Sequence, residues 1–306
     1  MNGIIPLWKP RGLTSADCVY KMRKILKTKK IGHTGTLDPD VNGVLPLCVG
    51  SGTKLVEYLV DSDKVYEAEI TFGSATTTED ASGEVVESKA VEENDITEES
   101  LKTAFEQFIG TIIQVPPMYS AVKVDGRRLY DYARKGESVE RPKRQVDIYA
   151  IDRMSEVVYD ADTKSSSVSV KIRCGKGTYI RTLAVDIGKS LGFPAHMSQL
   201  QRTSSGGIEA DETFTFEEVE RAVEEEKIDE VMLSLPHVFK RYPQVELNDD
   251  LYNRVKNGAI LTKENFSKDL TYPVSFIYDG ELIAIYQTYQ KNTALVKPQK
   301  IINVNR

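Results

Sequence analysis

The stretch HTGTLDPDVNG, residues 33–43, holds a carboxylate in a constrained setting. Asp38 stands between Leu37 and Pro39, in a loop that contains Gly35 and Gly43. Glycine permits tight, positive-φ turns, and a proline biases the residue before it towards extended backbone. Asp38 is thereby pinned between a stiff residue and a pliable loop. A carboxylate so held can act as nucleophile or base, or it can simply cap its turn. The catalytic reading needs a cation from elsewhere in the chain, because a buried carboxylate is costly unless paired. His33 is a second candidate, with a structural histidine as its plain alternative. Asp40 is a weaker carboxylate candidate, expected in solvent.

CGKGTYIRTL, residues 174–183, offers the cation. Gly175 and Gly177 bracket a turn, and Thr178 is expected to cap the helix that follows. That sets Arg181 in the first helical turn, where a cation opposes the helix dipole at about 0.3–1 kcal/mol. An anion is expected to face it: Asp38, a phosphate, or both in turn. The alternative is a surface arginine. Tyr66, in DKVYEAEITFG, lies on an alternating strand and is either a core side chain or a flat platform for a base. QVPPMYSAVK joins a stiff Pro-Pro pair to Met118, Tyr119 and Lys123. Basic residues interleaved with tyrosines at 127–135, including Arg127 and Arg128, suit RNA contact or an ordinary exposed loop.

The elements that must position these groups are legible as periodicity. Ile4 to Trp8 reads as a strand, and TSADCVYKMRKILK as a helix capped by Thr14 with Asp17 three residues on. Val44 to Val49 reads as a buried strand despite Pro46, and GTKLVEYLV as a short helix. KVYEAEITFG alternates like a strand. TEESLKTAFEQFIG is a helix with Leu101, Ala104, Phe105 and Phe108 on one face, ended by Gly110. SAVKVDGRRLYDYARKG alternates into an Asp-Gly turn. Strands are expected at 145–154 and 167–174, a helix over GTYIRTLAVDIGKSLG closing on Gly192, and an acidic helix at 216–227. Strands and helices interleave without a repeated βαβ unit, so the predicted class is α+β, a largely antiparallel mixed sheet with flanking helices. A boundary is expected near 237–245, giving domains 1–240 and 241–306, the second small and β-rich.

The 306 residues carry a net charge of −6 and three cysteines, Cys18, Cys48 and Cys174. The cysteines are far apart, without CxxC spacing, and read as buried free thiols. No apolar stretch approaches the roughly 20 residues of a membrane span. The N-terminus reaches Pro6 and Lys9 too soon for a signal peptide, so a cytoplasmic protein is expected. The acidic balance hides an uneven distribution. Residues 9–30 hold Lys9, Arg11, Lys21, Arg23, Lys24, Lys27, Lys29 and Lys30 against Asp17. A second basic run, 127–144, ends on Arg144. Such a chain can present a basic face to phosphates.

Taken in order, GIIPLWKPRGLTS, KKIGHTGTLDPDVNGVLPLCVGSGTK, KVYEAEITFG, PPMYSAVKVDGRRLYDYARKG and GKGTYIRTLAVDIGKSLG resemble the TruB family of tRNA pseudouridine synthases over residues 3 to about 205. The tail resembles the small β-barrel PUA domain. The resemblance implies isomerisation of uridine 55 in the T-loop of tRNA. It places Asp38 on the family's catalytic aspartate, Tyr66 on the tyrosine that stacks on the extruded uracil, and Arg181 on the aspartate's partner. It further implies substrate-binding roles for His33, Lys9, Pro10, Tyr179, Lys123, Arg127, Arg128 and Arg144, and an RNA-binding insertion at about 124–146. One departure is ATTTEDASG, 75–83, where Thr77 and Ser82 stand in places that many relatives fill with acids. The implied partner is the T-arm of tRNA, with no membrane, no obligatory protein partner and a monomeric state. No cofactor or metal is expected, because the isomerisation is redox-neutral. Two rival classes remain: a non-catalytic tRNA-binding protein using the same basic face, and a glycoside hydrolase. The latter wants two carboxyl groups roughly 5–9.5 Å apart, and Asp40 is the nearest second acid.

Overall fold

The computed structural model describes residues 1–240, 242–267 and 270–302. By its internal contacts the chain falls into two compact units, residues 1–60 with 206–306, and residues 61–205. The first unit opens with β1 (Gly3–Lys9), α1 (Ser15–Ile25), β2 (Ile31–His33) and β3 (Asn42–Val49). A 3-10 turn, Gly50–Leu55, then runs into α2 (Val56–Val60). Thr14 and Asp17 cap α1 reciprocally: the Asp17 amide donates to the Thr14 hydroxyl at 3.0 Å and the Thr14 amide to the Asp17 carboxylate at 2.9 Å. β3 is a strand in spite of Pro46 because Pro46 lies directly opposite Pro6 on β1. Their carbonyls bond outward, to the amides of Thr34 and Phe214. One cross-strand site without ladder bonds thus absorbs both missing N–H groups.

The second unit holds β4 (Lys64–Phe72), β5 (Ser74–Thr76), β6 (Val85–Ser88), α3 (Glu98–Phe108) and β7 (Gly110–Gln114). It continues with β8 (Lys123–Val124), β9 (Arg127–Arg128), α4 (Leu129–Arg134), β10 (Arg144–Arg153) and β11 (Val158–Asp160). It closes with β12 (Ser165–Cys174), α5 (Ile180–Ser190) and β13 (Ala195–Ser205). Its sheet runs in the order β13-β4-β12-β10-β7, and these pairings are antiparallel. β4, between β13 and β12, alternates strictly: Lys64, Tyr66, Ala68, Ile70 and Phe72 are buried and the residues between them less so. A period of two in the sequence becomes one buried face.

After β14 (Ile208–Glu209), α6 (Phe216–Glu224) and α7 (Leu235–Val238), the first unit ends in a small sheet. It comprises β15 (Gln244–Glu246), β16 (Leu261–Thr262), β17 (Val274–Tyr278), β18 (Glu281–Thr288) and β19 (Leu295–Ile301), with α8 (Asp249–Val255) beside it. The order is β15-β17-β18-β19-β16. The tail is β-rich, as expected; its residues 303–306 lie outside the described residues, as does residue 241 at the expected boundary. This tail has a core of its own around Phe276 and Tyr286. It also shares one with the body: Ile277, Leu282, Ile285 and Ile302 pack with Ile4, Leu55, Tyr58 and Phe239. Lys54 donates to the Ile302 carbonyl at 2.9 Å, and Lys300 pairs with Glu57 at 2.9 Å. The α+β class and the largely antiparallel sheet stand as expected.

Candidate active site

In the first unit, the loop that carries Asp38 is held from beneath by Lys9, the last residue of β1. Lys9 is fully buried. Its ammonium donates to the carbonyls of Pro10 at 3.0 Å, Pro39 at 3.1 Å and Val41 at 2.7 Å. A buried ammonium is tolerable only when its protons are taken, and here backbone carbonyls take them, two of them from the loop. Ser15, at the start of α1, fixes the other flank: the Leu37 amide donates to its hydroxyl at 2.9 Å. The Gly12 amide donates to the Pro39 carbonyl at 2.8 Å, and the Val41 amide to the Asp38 carbonyl at 3.1 Å. Both neighbours of Asp38 are thus anchored, while Asp38 itself is half-buried. Asp40 is exposed, as expected. His33 ends β2, and its Nδ1 accepts the Gly35 amide at 3.3 Å, which leaves Nε2 as the protonated nitrogen of the neutral ring.

In the second unit, Tyr66 lies on the buried face of β4, 8% exposed. It stands opposite Ile172 on β12 and Arg202 on β13. Arg202 is 1% exposed. Lys64, two residues before Tyr66 on the same face, donates to the Ser62 carbonyl. Its pKa is pushed down to about 8, by burial first and by the Arg202 charge second. Sequence reading passed over Lys64 and Arg202. The signal was present, since a lysine and an arginine at in-facing strand positions are rarely buried without a reason.

Arg181 is the second residue of α5 and is 4% exposed, so the surface-arginine reading fails. Its guanidinium donates from Nη1 to the Thr78 carbonyl and from Nη2 to the Tyr119 carbonyl, both at 2.9 Å. Its Nη1 also lies 3.7 Å from the Asp80 carboxylate. Asp80, in the divergent 75–83 loop, was not among the anions expected to face Arg181. The Asp80 carboxylate accepts from Thr78 and Ser82 hydroxyls, both at 2.6 Å, so Ser82 serves the loop as a donor. The expected cap is also corrected. Tyr179 is the N-cap, without a side-chain bond, and the Thr178 hydroxyl donates back to the Gly175 carbonyl at 3.0 Å. Gln114 starts the helix instead: its side-chain amide donates to the Tyr179 carbonyl at 3.0 Å and accepts from the Tyr179 amide at 2.9 Å.

The 124–146 segment begins as a hairpin of β8 on β9. Asp125 and Gly126 both have positive φ, 50° and 79°, as the expected two-residue turn demands. Within the segment Leu129 is fully buried and Tyr132 nearly so. Lys123, Arg128 and Arg144 are exposed. Arg127 pairs with Glu137 at 2.8 Å and lies over the Tyr132 ring at 4.1 Å. Pro10 is exposed and Tyr179 half-buried. Cys18, Cys48 and Cys174 are free and buried, as expected. Among the described residues, no group of His, Cys, Asp and Glu could hold a metal ion, and no helix is long and apolar enough to cross a membrane.

The architecture has a counterpart in the solved structure of a Cbf5-Nop10-Gar1 complex, with a TM-score of 0.70 and 26% identity over 98% of this chain and 85% of that one. The class the fold points to is also found in the sequence. Residues 23–180 match the N-terminal domain of the TruB family pseudouridylate synthases, and residues 181–240 match the tRNA pseudouridylate synthase B C-terminal domain. Full-length relatives include the tRNA pseudouridine synthase B of Bacillus pumilus, 49% identical over 100% of this chain and 99% of its own length. That of Listeria welshimeri is 48% identical over 100% and 99%. The chain belongs to the TruB family of pseudouridylate synthases, and so to the isomerases.

Proposed function

We propose that this enzyme converts uridine 55 of the tRNA T-loop to pseudouridine, with Asp38 as the carboxylate that acts on a flipped-out uridine. The reaction breaks N1–C1′, turns the uracil and joins C5 to C1′. The C5 proton leaves and N1 gains one, so the conversion is redox-neutral. The observation that carries the reading is the loop clamped by Lys9 and Ser15 around Asp38, in a chain that matches tRNA pseudouridine synthases along its full length. An anchored carboxylate needs no reorganisation when the base arrives.

Arg181 is the cation that keeps Asp38 ionised, and Tyr66 offers its ring to the uracil, offsetting an unstacking cost of a few kcal/mol. His33, Pro10 and Tyr179 border the bound loop. Lys123, Arg128 and Arg144, all exposed, meet phosphates, and Arg127 supports the same 124–146 surface. Lys9 acts through the Asp38 loop. The domain division at 240, with a PUA-like RNA-binding tail, belongs to the same proposal. So do a monomeric, cytoplasmic state and independence of an obligatory protein partner.

The experiment is to incubate the purified protein with an unmodified tRNA transcript and map pseudouridine by carbodiimide labelling and primer extension. A stop at position 55 alone is expected. Tight binding with no isomer formed would favour the non-catalytic rival.

A further inference from the structure

The divergent loop does more than hold Arg181. Glu79 sits between Thr78 and Asp80, which hold Arg181, yet it turns its own side chain to other partners. Its backbone is left-handed, with φ of 65°, a conformation that costs a non-glycine residue and persists where neighbours enforce it. The enforcing bonds join the loop to β13: the Met197 amide donates to the Glu79 carbonyl, and the Ala81 amide to the Met197 carbonyl, both at 3.1 Å. The side chain is only 19% exposed. Its Oε2 accepts the Thr182 hydroxyl at 2.6 Å, and its Oε1 lies 3.9 Å from Nη1 of Arg141. Arg141 belongs to the 124–146 segment, and the same Nη1 donates to the Pro116 carbonyl at 3.1 Å.

These contacts form a pair of parallel clamps. Arg181 joins the 78–80 loop to the Tyr119 carbonyl. Arg141 joins the same loop, through Glu79, to the Pro116 carbonyl, three residues earlier on the PPMY segment. Thr182 closes the circuit, because it follows Arg181 on α5 and is held by Glu79. The charged groups that act on the Glu79 carboxylate are Arg181, Arg141 and Asp186. Burial raises its pKa, and Thr182 and the two arginines pull it back.

We propose that Glu79 is a positioning residue that couples the docking of the 124–146 segment, through Arg141, to the setting of Arg181, through Thr182. The inference rests on the proposed role of Arg181 in uridine isomerisation. It gives the segment a route to the reacting centre: with Arg141 seated against Glu79 and Pro116, the loop and PPMY carbonyls that orient Arg181 are fixed with it.

The test is a double-mutant cycle on single-turnover isomerisation of a tRNA transcript at saturating enzyme. Glu79→Gln and Arg141→Met should each lower the rate about 5–20-fold, and the double variant should fall no more than about threefold below the worse single one. Affinity for tRNA should stay within about threefold for Glu79→Gln, since it meets no phosphate. Arg141→Lys should recover part of the loss. Multiplicative effects in the cycle, or a Glu79→Gln enzyme at the wild-type rate, overturn the proposal. If Glu79 variants do not fold, the same cycle between Arg141→Met and Thr182→Val reads the coupling through the intact carboxylate, and multiplicative effects there overturn it equally. A wild type that makes no pseudouridine sinks the functional reading instead. Hydrogen exchange of 116–120 in Arg141→Met and Thr182→Val then still decides the coupling. Faster exchange in both supports it, and unchanged exchange refutes it.

Discussion

Lys9→Met isolates what the buried ammonium does. Methionine fills nearly the same volume, so no large cavity opens, and the loss includes three charge-assisted bonds. Net values of about 1.5–3 kcal/mol per bond to a charged group do not add threefold, because removing the ammonium also relieves a desolvation cost of several kcal/mol. The carbonyls decide the net. That of Pro39 keeps the Gly12 amide, and the Pro10 contact is only partly buried. The Val41 bond is buried, and an unsatisfied buried carbonyl costs about 1–3 kcal/mol. The expected destabilisation is therefore about 2–4 kcal/mol, read as a lower denaturant midpoint with unchanged slope. Function should suffer more than stability. The bonds to Pro39 and Val41 flank Asp38, and a displacement of about 1 Å in a reacting group costs about 100-fold in rate. Single-turnover release of tritium from C5-labelled uridine, well below the variant's melting temperature, should show that loss with tRNA affinity retained. A Lys9→Met enzyme within twofold of the wild-type rate would refute the clamp.

Arg181→Met should lower the single-turnover rate at least about 100-fold while tRNA affinity changes less than about threefold, with partial recovery at higher pH as Asp38 regains its charge. Equal losses in rate and affinity would speak for a phosphate contact instead. Glu79→Gln should stabilise the fold at neutral pH while slowing it catalytically. The folded-state pKa of Glu79 is raised by burial, so the native state binds its proton more tightly and wild-type stability falls as pH climbs from the ordinary range through the raised value. The variant's advantage should grow over that window and then level off, and an advantage independent of pH would contradict it. Binding of tRNA should weaken linearly on a log–log plot against salt as phosphate contacts release counterions. A flat plot would remove the basic segments from the interface.

The sequence made the elements legible where one physical cause dominated. β4 alternates, α1 carries its own cap, and Asp125-Gly126 permits only a narrow class of turn. All three stand as read. What escaped were groups whose partners are distant in sequence. Lys9 reads as a surface base because nothing local says that three carbonyls will surround it. Gln114 and Tyr179 are 65 residues apart, so the start of α5 was credited to Thr178, the nearest residue of a capping type. Asp80 was overlooked for Arg181 because a loop rich in Thr, Asp and Ser looks self-satisfied, and only the fold carries it to α5. The tail keeps a core of its own around Phe276 and Tyr286, and Ile277, Leu282 and Ile285 share a second with Ile4 and Tyr58. Its excision should therefore unsettle the body as well as weaken RNA binding.

Asp38, as proposed, performs the isomerisation on a uridine already bound. Asp38→Asn keeps the shape of the loop and removes the charge. With enzyme in excess over unmodified tRNA, the variant should form no pseudouridine at position 55 on the time scale of many wild-type turnovers, and its dissociation constant should stay within about tenfold of wild type, since phosphates supply the affinity. Pseudouridine formed at a near-normal single-turnover rate by Asp38→Asn would contradict it.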